Sequence, residues 1–379
     1  MKKVLWLPRW YPNKFDPFDG NFVEAHARVA AEVADIAVLF VHSDPGLKKM
    51  FEVKESVDPE KGFPVIRVYY KKPNSFIPGF NSLLHGLRFQ TSQLLGYEHI
   101  KAKWGEPDIS HVHVLSRPAW LARRLKKPYF ITEHASRYFP ENPFFKGLIR
   151  RWWTRKVVRD AATVTTVSDA LRSAMEKHGL QGNYQRLSNV IRTEIFSLAT
   201  TPPLPFKLVH TSTMHNNPKN TGGILRACSL LKASNIDFKL DMIGDGPERT
   251  TQEALANDLG LSDNVTFHGN ISLKAVAEKL KESHALVMFS WYETQSIVVL
   301  EALACGLPVI ATAVGGLAEH LKPEFGVAVP PGDEAALAAG IEKVMKNYTS
   351  YDREAMRKYV LDLASVEAIR EQFGEMYRG

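Results

Sequence analysis

"SWYETQSIVVLEALACGLPVIAT", residues 290–312, sets two carboxylates, Glu293 and Glu301, eight positions apart in an otherwise apolar stretch. The preceding "HALVMFS" reads as a buried strand, "SIVVLEALACG" as a helix closed by Gly306 before Pro308, and "PVIATAVGG" as the next strand. Strand, loop, helix and strand make the unit of a parallel sheet, and such sheets bind ligands at the carboxyl ends of their strands. Glu293 falls in that loop. Glu301 falls in the second turn of the helix, where a carboxylate can accept the hydroxyls of a ribose, as acids do in dinucleotide folds. The competing reading, two surface acids favouring a helix N-terminus, needs no ligand.

The same alternation extends over the chain. "KKVLWLPRWYP", "GNFVEAHARVAAEV" and "DIAVLFVHS" form a strand–helix–strand opening. The pattern continues through "DISHVHVL", a helix in "AWLARRL", the strand "PYFITEH", a long helix from about Phe144 to Asp160, and "ATVTTVS". Three prolines within four residues in "LATTPPLPFK" mark a linker, after which "KLVHTST", "GGILRACSLLKAS", "FKLDMIGDG" and "VTFHGN" restart the series. A chain of 379 residues also exceeds what one core usually supports. The expectation is two doubly wound α/β domains in sequence with a cleft between them.

Composition narrows the class. A hydrophobic share of 45% and a charged share of 23% are ordinary for a globular protein. Two cysteines, Cys228 and Cys305, in apolar helical surroundings argue against a disulfide framework or a cysteine-held zinc. No apolar run is long enough to span a bilayer, and four apolar residues before Pro8 are too few for a secretory signal. The expected location is cytoplasmic. Residues 1–195 carry 31 Lys and Arg against 19 Asp and Glu, whereas residues 196–379 carry 17 against 22. The cationic first half suits nucleic acid, an anionic membrane or a phosphorylated substrate.

"SWYETQSIVVLEALACGLPVIATAVGGLAEHL" resembles the E-x7-E signature of the retaining nucleotide-sugar glycosyltransferases of family four, and "GVAVPPGD" matches that family's usual sequel. The likeness extends through "LDMIGDGPE", "NVTFHGN", "SNVIRTEIF" and "WYPNKFDPFDGNFVEAHA". It implies the GT-B fold, two Rossmann-like domains facing across a cleft. The expected divisions are 1–195 for the acceptor, 196–360 for the nucleotide sugar, and 361–379 as a C-terminal helix crossing back to the first domain.

By this resemblance Glu301 holds the ribose hydroxyls and Glu293 contacts the donor sugar. The amides around Gln295, Ser296 and Ile297 meet the sugar and phosphates at a helix N-terminus, and Gly20 and Gly244 lie against the donor. Such a terminus favours anions through its unpaired amides and dipole. Where the family offers an Arg and a Lys to the diphosphate, "HTSTMHNNPKN" supplies Lys219 but has Thr213 or Met214 near the place of the Arg. The family's acceptor-side histidine falls on His134, a group able to hydrogen-bond the donor or relay a proton near neutrality. His111 and His113 point to one face of a strand without a visible third ligand, and there is no D-x-D pair, so neither metal nor cofactor is expected.

"NPFFKGLIRRWWTRKVVRD" interleaves basic and aromatic residues. It reads as an outer helix with its tryptophans packed on the sheet, or as a surface for an anionic membrane; no RNA-binding signature accompanies it. The expected activity is retaining transfer of a hexose-type sugar from a nucleoside-diphosphate sugar to a glycan or lipid-linked acceptor, with nucleic acid excluded as a partner. The enzyme is expected to be cytoplasmic or peripheral on the inner face of the membrane. Two alternatives stay open: a nucleotide-sugar 2-epimerase, and a non-catalytic glycan-binding relative of a transferase.

Overall fold

The computed structural model describes residues 1–74, 80–115, 117–142, 144–200 and 202–378; Thr201, in the proline-rich connection, lies outside the described residues. Two compact units share the chain. One comprises Met1–Tyr138, Pro143–Val190 and Ile369–Gly379, the other Phe139–Asn142 and Ile191–Ala368.

In the first unit the strands are β1 (Lys3–Pro8), β2 (Asp35–Asp44), β3 (Phe51–Val57), β4 (Pro64–Lys71), β5 (Ile109–His113), β6 (Tyr129–Glu133), β7 (Thr163–Thr166) and β8 (Tyr184–Arg186). Their order is β3-β4-β2-β1-β5-β6-β7-β8, parallel throughout except for β3, which runs against β4. β1, β5 and β6 are buried nearly end to end, as strands covered on both faces are. Edge strand β3, "FEVKESV", is charged and largely exposed, which blocks further pairing. The β3–β4 pair and the helix Phe80–Trp104 add to the alternation read from the sequence. Within that helix a side chain on Gly96 would reach 2.2 Å from Leu39, so glycine there lets the helix lie close on β2.

In the second unit the strands are β9 (Phe206–Thr211), β10 (Phe238–Ile243), β11 (Val265–Gly269), β12 (Ala285–Met288), β13 (Val309–Thr312) and β14 (Gly326–Val329). All are parallel, in the order β11-β10-β9-β12-β13-β14. Alternate strand residues feed two cores. Leu208, Leu240, Val287 and Ile310 pack with Ile224, Cys228 and Ile341 on one face, and Val209, Leu286, Met288 and Val309 with Val299, Leu303 and Val360 on the other.

Counted from its own first strand, this order is 3-2-1-4-5-6, the dinucleotide-fold order, whose direction reverses between β9 and β12. With β3 set aside, the strands β4-β2-β1-β5-β6-β7 repeat it, and the reversal lies between β1 and β5. Both carboxyl edges therefore carry the kind of crevice at which open α/β sheets bind ligands.

The basic aromatic helix begins at Leu148 after Gly147, four residues later than the spacing predicts. The packed-tryptophan reading holds only in part: Trp153 is half-buried with the Arg123 guanidinium 5.2 Å from its ring, whereas Trp152 is 60% exposed. Among the described residues no helix is long and apolar enough to cross a membrane.

Candidate functional site

The loop after β12 and the short turn after β9 stand at the reversal point of the second sheet. The turn Asn216–Lys219 carries Lys219, whose ammonium lies 2.6 Å from Glu293 Oε1. The same oxygen accepts the Ser290 hydroxyl at 2.9 Å. Backbone contacts fix both pieces. The Trp291 amide donates to the Pro218 carbonyl at 2.8 Å, the Gly316 amide to the Glu293 carbonyl at 3.1 Å, and the Thr312 hydroxyl to the Ser290 carbonyl at 2.7 Å. Gly315, at φ +48°, admits the Glu293 carbonyl to a place 2.1 Å from where a Cβ would sit.

The helix Ile297–Ala304 starts at Ser296, which adopts the left-handed conformation (φ 68°) and makes no side-chain cap. Its first amides thus remain available to an anion. Glu301 is buried one turn in, and burial pushes its carboxyl up to about 7. A carboxyl disfavoured by burial in this way is stabilised by any polar group that comes to it. Gln295 is buried beside them.

Of the other donor-side expectations, Gly244 serves packing. At φ +116° it lets the chain pass the Ser212 carbonyl, 1.9 Å from a Cβ position, while its amide donates to Gly269 at 2.9 Å. Met214, near the place of the absent Arg, sits fully inside the core, and Thr213 is exposed, so neither brings a cation. His210 was not singled out from the sequence. Its Nδ1 donates to the Val287 carbonyl at 2.8 Å and its Nε2 meets the Ser212 hydroxyl at 2.7 Å, while burial lowers its pKa to about 4. It locks β9 to β12 as a neutral imidazole, and nothing in "KLVHTST" sets it apart from the polar residues around it.

In the first unit, Gly20 at φ +64° opens the helix Asn21–Ala30 and faces the Trp10 backbone, 2.3 Å from a Cβ position, so chain packing alone demands it. His134 follows β6 and is buried with Asn189 beside it. Burial, with His26 and His111 nearby, drives its pKa well below the ordinary value. A histidine held in this way favours a neutral hydrogen-bonding role over a proton relay near neutrality. The H-x-H reading also changes. His111 turns to the Tyr377 hydroxyl (2.6 Å) and the Thr132 hydroxyl (2.7 Å), while His113 gathers with His26 and His134, their ring nitrogens within 4.8 Å of one another. His26 Nε2 donates to the Ser188 carbonyl at 2.8 Å, which leaves its Nδ1 with a lone pair. Such a set is of the type that holds metal ions, so chelation rather than ligand counting decides metal dependence.

Residues 205–361 match the glycosyl transferases group 1, and residues 24–189 match a glycosyl transferase 4-like domain. Alpha-D-kanosaminyltransferase of Streptomyces kanamyceticus is 26% identical over 69% of this chain and 73% of its own length. TuaC of Bacillus subtilis, provisionally assigned as a teichuronic acid biosynthesis glycosyltransferase, is 25% identical over 98% of this chain and 94% of its own. Among solved structures, sucrose-phosphate synthase from Thermosynechococcus elongatus superposes with a TM-score of 0.78 at 21% identity, covering 100% of this chain and 98% of that one. HepE from Anabaena, solved in complex with UDP, gives 0.71 at 15% identity with full coverage of both chains. Two dinucleotide-type sheets, an acid pair at a reversal point, and two family matches that together take in most of the chain make this protein a group 1 glycosyltransferase of family four, with the GT-B fold.

Proposed function

We propose that the protein is a retaining, metal-independent hexosyltransferase that moves a sugar from a nucleoside diphosphate to a glycan or lipid-linked acceptor in cell-surface polysaccharide or glycolipid synthesis. One observation carries this reading: Lys219, Glu293, Glu301 and an uncapped helix start converge at the reversal point of the second sheet. The assignment of TuaC to teichuronic acid synthesis and the UDP bound to HepE support the substrate class.

In this account Glu301 accepts the ribose hydroxyls. The amides around Gln295, Ser296 and Ile297 receive the phosphates, with Gly244 shaping the wall beside them. Lys219 exchanges its bond to Glu293 for one to the diphosphate, which frees Glu293 to accept a hydroxyl of the donor sugar. The bond between the anomeric carbon and the phosphate oxygen breaks as the acceptor oxygen attacks from the same face, and the departing phosphate takes the acceptor proton. The fixed cation and the helix dipole stabilise the charge that develops on the leaving group. In the first unit His134 is a neutral hydrogen-bonding group on the acceptor side, and Gly20 lets the backbone come close to a ligand. The basic aromatic helix Leu148–Arg159 adds peripheral attachment to an anionic membrane from the cytoplasmic side.

Donor hydrolysis followed by proton NMR in EDTA tests the chemistry. With UDP-, GDP- and ADP-hexoses offered in turn, one donor is expected to release a sugar whose first-formed anomer keeps the donor's configuration. An inverted first product, or turnover that stops in EDTA and returns with manganese, contradicts the reading.

A further inference from the structure

The carboxyl edge of the first sheet carries three guanidiniums that the proposed reaction leaves without a task. Arg9 follows β1 and Arg117 follows β5, the two strands at which the order reverses, and Arg137 follows β6 next to them. The pairings Pro8 with His113 and His113 with Thr132 bring these three strand ends level. Among the described residues none of the three guanidiniums forms an ion pair. Cations nearby are already engaged: Lys14 bridges Asp44 and Glu52, and Arg28 meets Glu24, Asp58 and Glu60. Asp19 is the acid that faces Arg9, and it accepts from Asn13 Nδ2 at 3.1 Å. Burial first, then the like charges of Arg117 and Arg137, lower the Arg9 pKa below its ordinary value. A desolvated cation crowded by two others is unfavourable unless an anion completes it.

We propose that Arg9, Arg117 and Arg137 form a phosphate subsite for the acceptor, so that the acceptor is a phosphate or diphosphate ester rather than a neutral glycan. Three forked guanidiniums suit a tetrahedral dianion with several acceptor oxygens better than one carboxylate, which a single Arg can satisfy. Tyr70, at the end of β4, widens the subsite: its hydroxyl lies with Arg117 and 3.3 Å from His85 Nδ1. The inference rests on reading the first unit as the acceptor half.

Calorimetric titration with inorganic pyrophosphate tests it in a Lys219→Ala background, which removes the cation assigned to the donor. Pyrophosphate is expected to bind, and the further changes Arg9→Gln and Arg117→Gln are each expected to weaken it about tenfold or more. Absence of binding, or equal affinity in all three proteins, overturns the subsite. Arg9→Met in the otherwise wild-type chain guards against misfolding: its melting temperature is expected to rise, because a desolvated charge crowded by two like charges is removed, and a fall would contradict the electrostatic argument. UDP titrated into the Arg9→Gln, Arg117→Gln protein separates the two claims. Equal UDP affinity in that protein and in wild type is expected; no UDP binding in either indicts the donor reading alone, and UDP binding lost only in the double variant overturns the assignment of these arginines to the acceptor. Farnesyl diphosphate and glycerol 3-phosphate, compared as competitors of pyrophosphate, distinguish a lipid-linked from a soluble phosphate source.

Discussion

Glu301 is held in an environment that disfavours its charge, with burial pushing its carboxyl up to about 7 from the usual carboxylate range. Because the folded state binds the proton more tightly than the unfolded chain, this group lowers stability as pH rises from about 4.5 to about 7. The penalty is fully present above that window and absent below it. Glu301→Gln is therefore expected to stabilise the free protein at pH 8, by on the order of 3 kcal/mol at most, and to leave stability near pH 4 unchanged. Urea unfolding at the two pH values checks this. Nucleotide affinity should move the other way in wild type, weakening as pH falls below about 7 and the ribose loses its acceptor. Lys219 belongs to the same cluster. With one cation where the family offers two, Lys219→Ala is expected to reduce kcat/KM about a hundredfold, equivalent to roughly 2.7 kcal/mol, and Lys219→Arg to restore part of it. Steady-state kinetics decide; near-normal turnover in Lys219→Ala would remove this residue from the diphosphate site.

The loop between β12 and the helix Ile297–Ala304 works because its neighbours leave no slack. Gly315→Ala would force a Cβ onto the Glu293 carbonyl at a left-handed residue, so a loss of about 1–2 kcal/mol or more is expected in a denaturant titration, together with weaker donor binding. This element was legible in the sequence, since apolar runs are punctuated there by Gly306 and Pro308. The β3–β4 pair and the helix Phe80–Trp104 were not. β3 is an exposed, charged edge without a buried face, and the helix carries Gly86 and Gly96, which dilute its periodicity. The helix Leu148–Arg159 shows what only coordinates reveal. Its basic content was plain, but the exposure of Phe144 (72%), Leu148 (85%) and Ile149 (84%) beside Trp152 was not. These apolar groups fit insertion into a membrane interface, with the arginines at headgroup level. Changing Arg150, Arg151 and Arg155 to Gln is expected to weaken binding to anionic vesicles by about 1 kcal/mol per charge, and Trp152→Ser to weaken it further. Equal co-sedimentation of wild type and variants would leave this an ordinary outer helix.

Parallel winding is what assembles the chemistry. It places Lys219 beside Glu293, 74 residues later, and joins His26, His113 and His134 from three elements. The sequence exposed the donor half because its residues crowd into one motif with a recognisable spacing. The first half gave less away, since a parallel sheet gathers Arg117 and Arg137 with Arg9, which precedes them by more than 100 residues, and no local pattern marks the three. The central claim is that a nucleoside diphosphate binds at the β9–β12 reversal point through Glu301. Thermal unfolding of wild type and Glu301→Ala with UDP, GDP and ADP tests it most directly, since a ligand selective for the folded state stabilises it by about 2.7 kcal/mol at a hundred times its Kd. One of the three is expected to raise the wild-type midpoint, and Glu301→Ala to lose most of that rise, the loss of partners for the ribose costing roughly 1–3 kcal/mol. No stabilisation of wild type by any of the three, or an equal shift in both proteins, would contradict it.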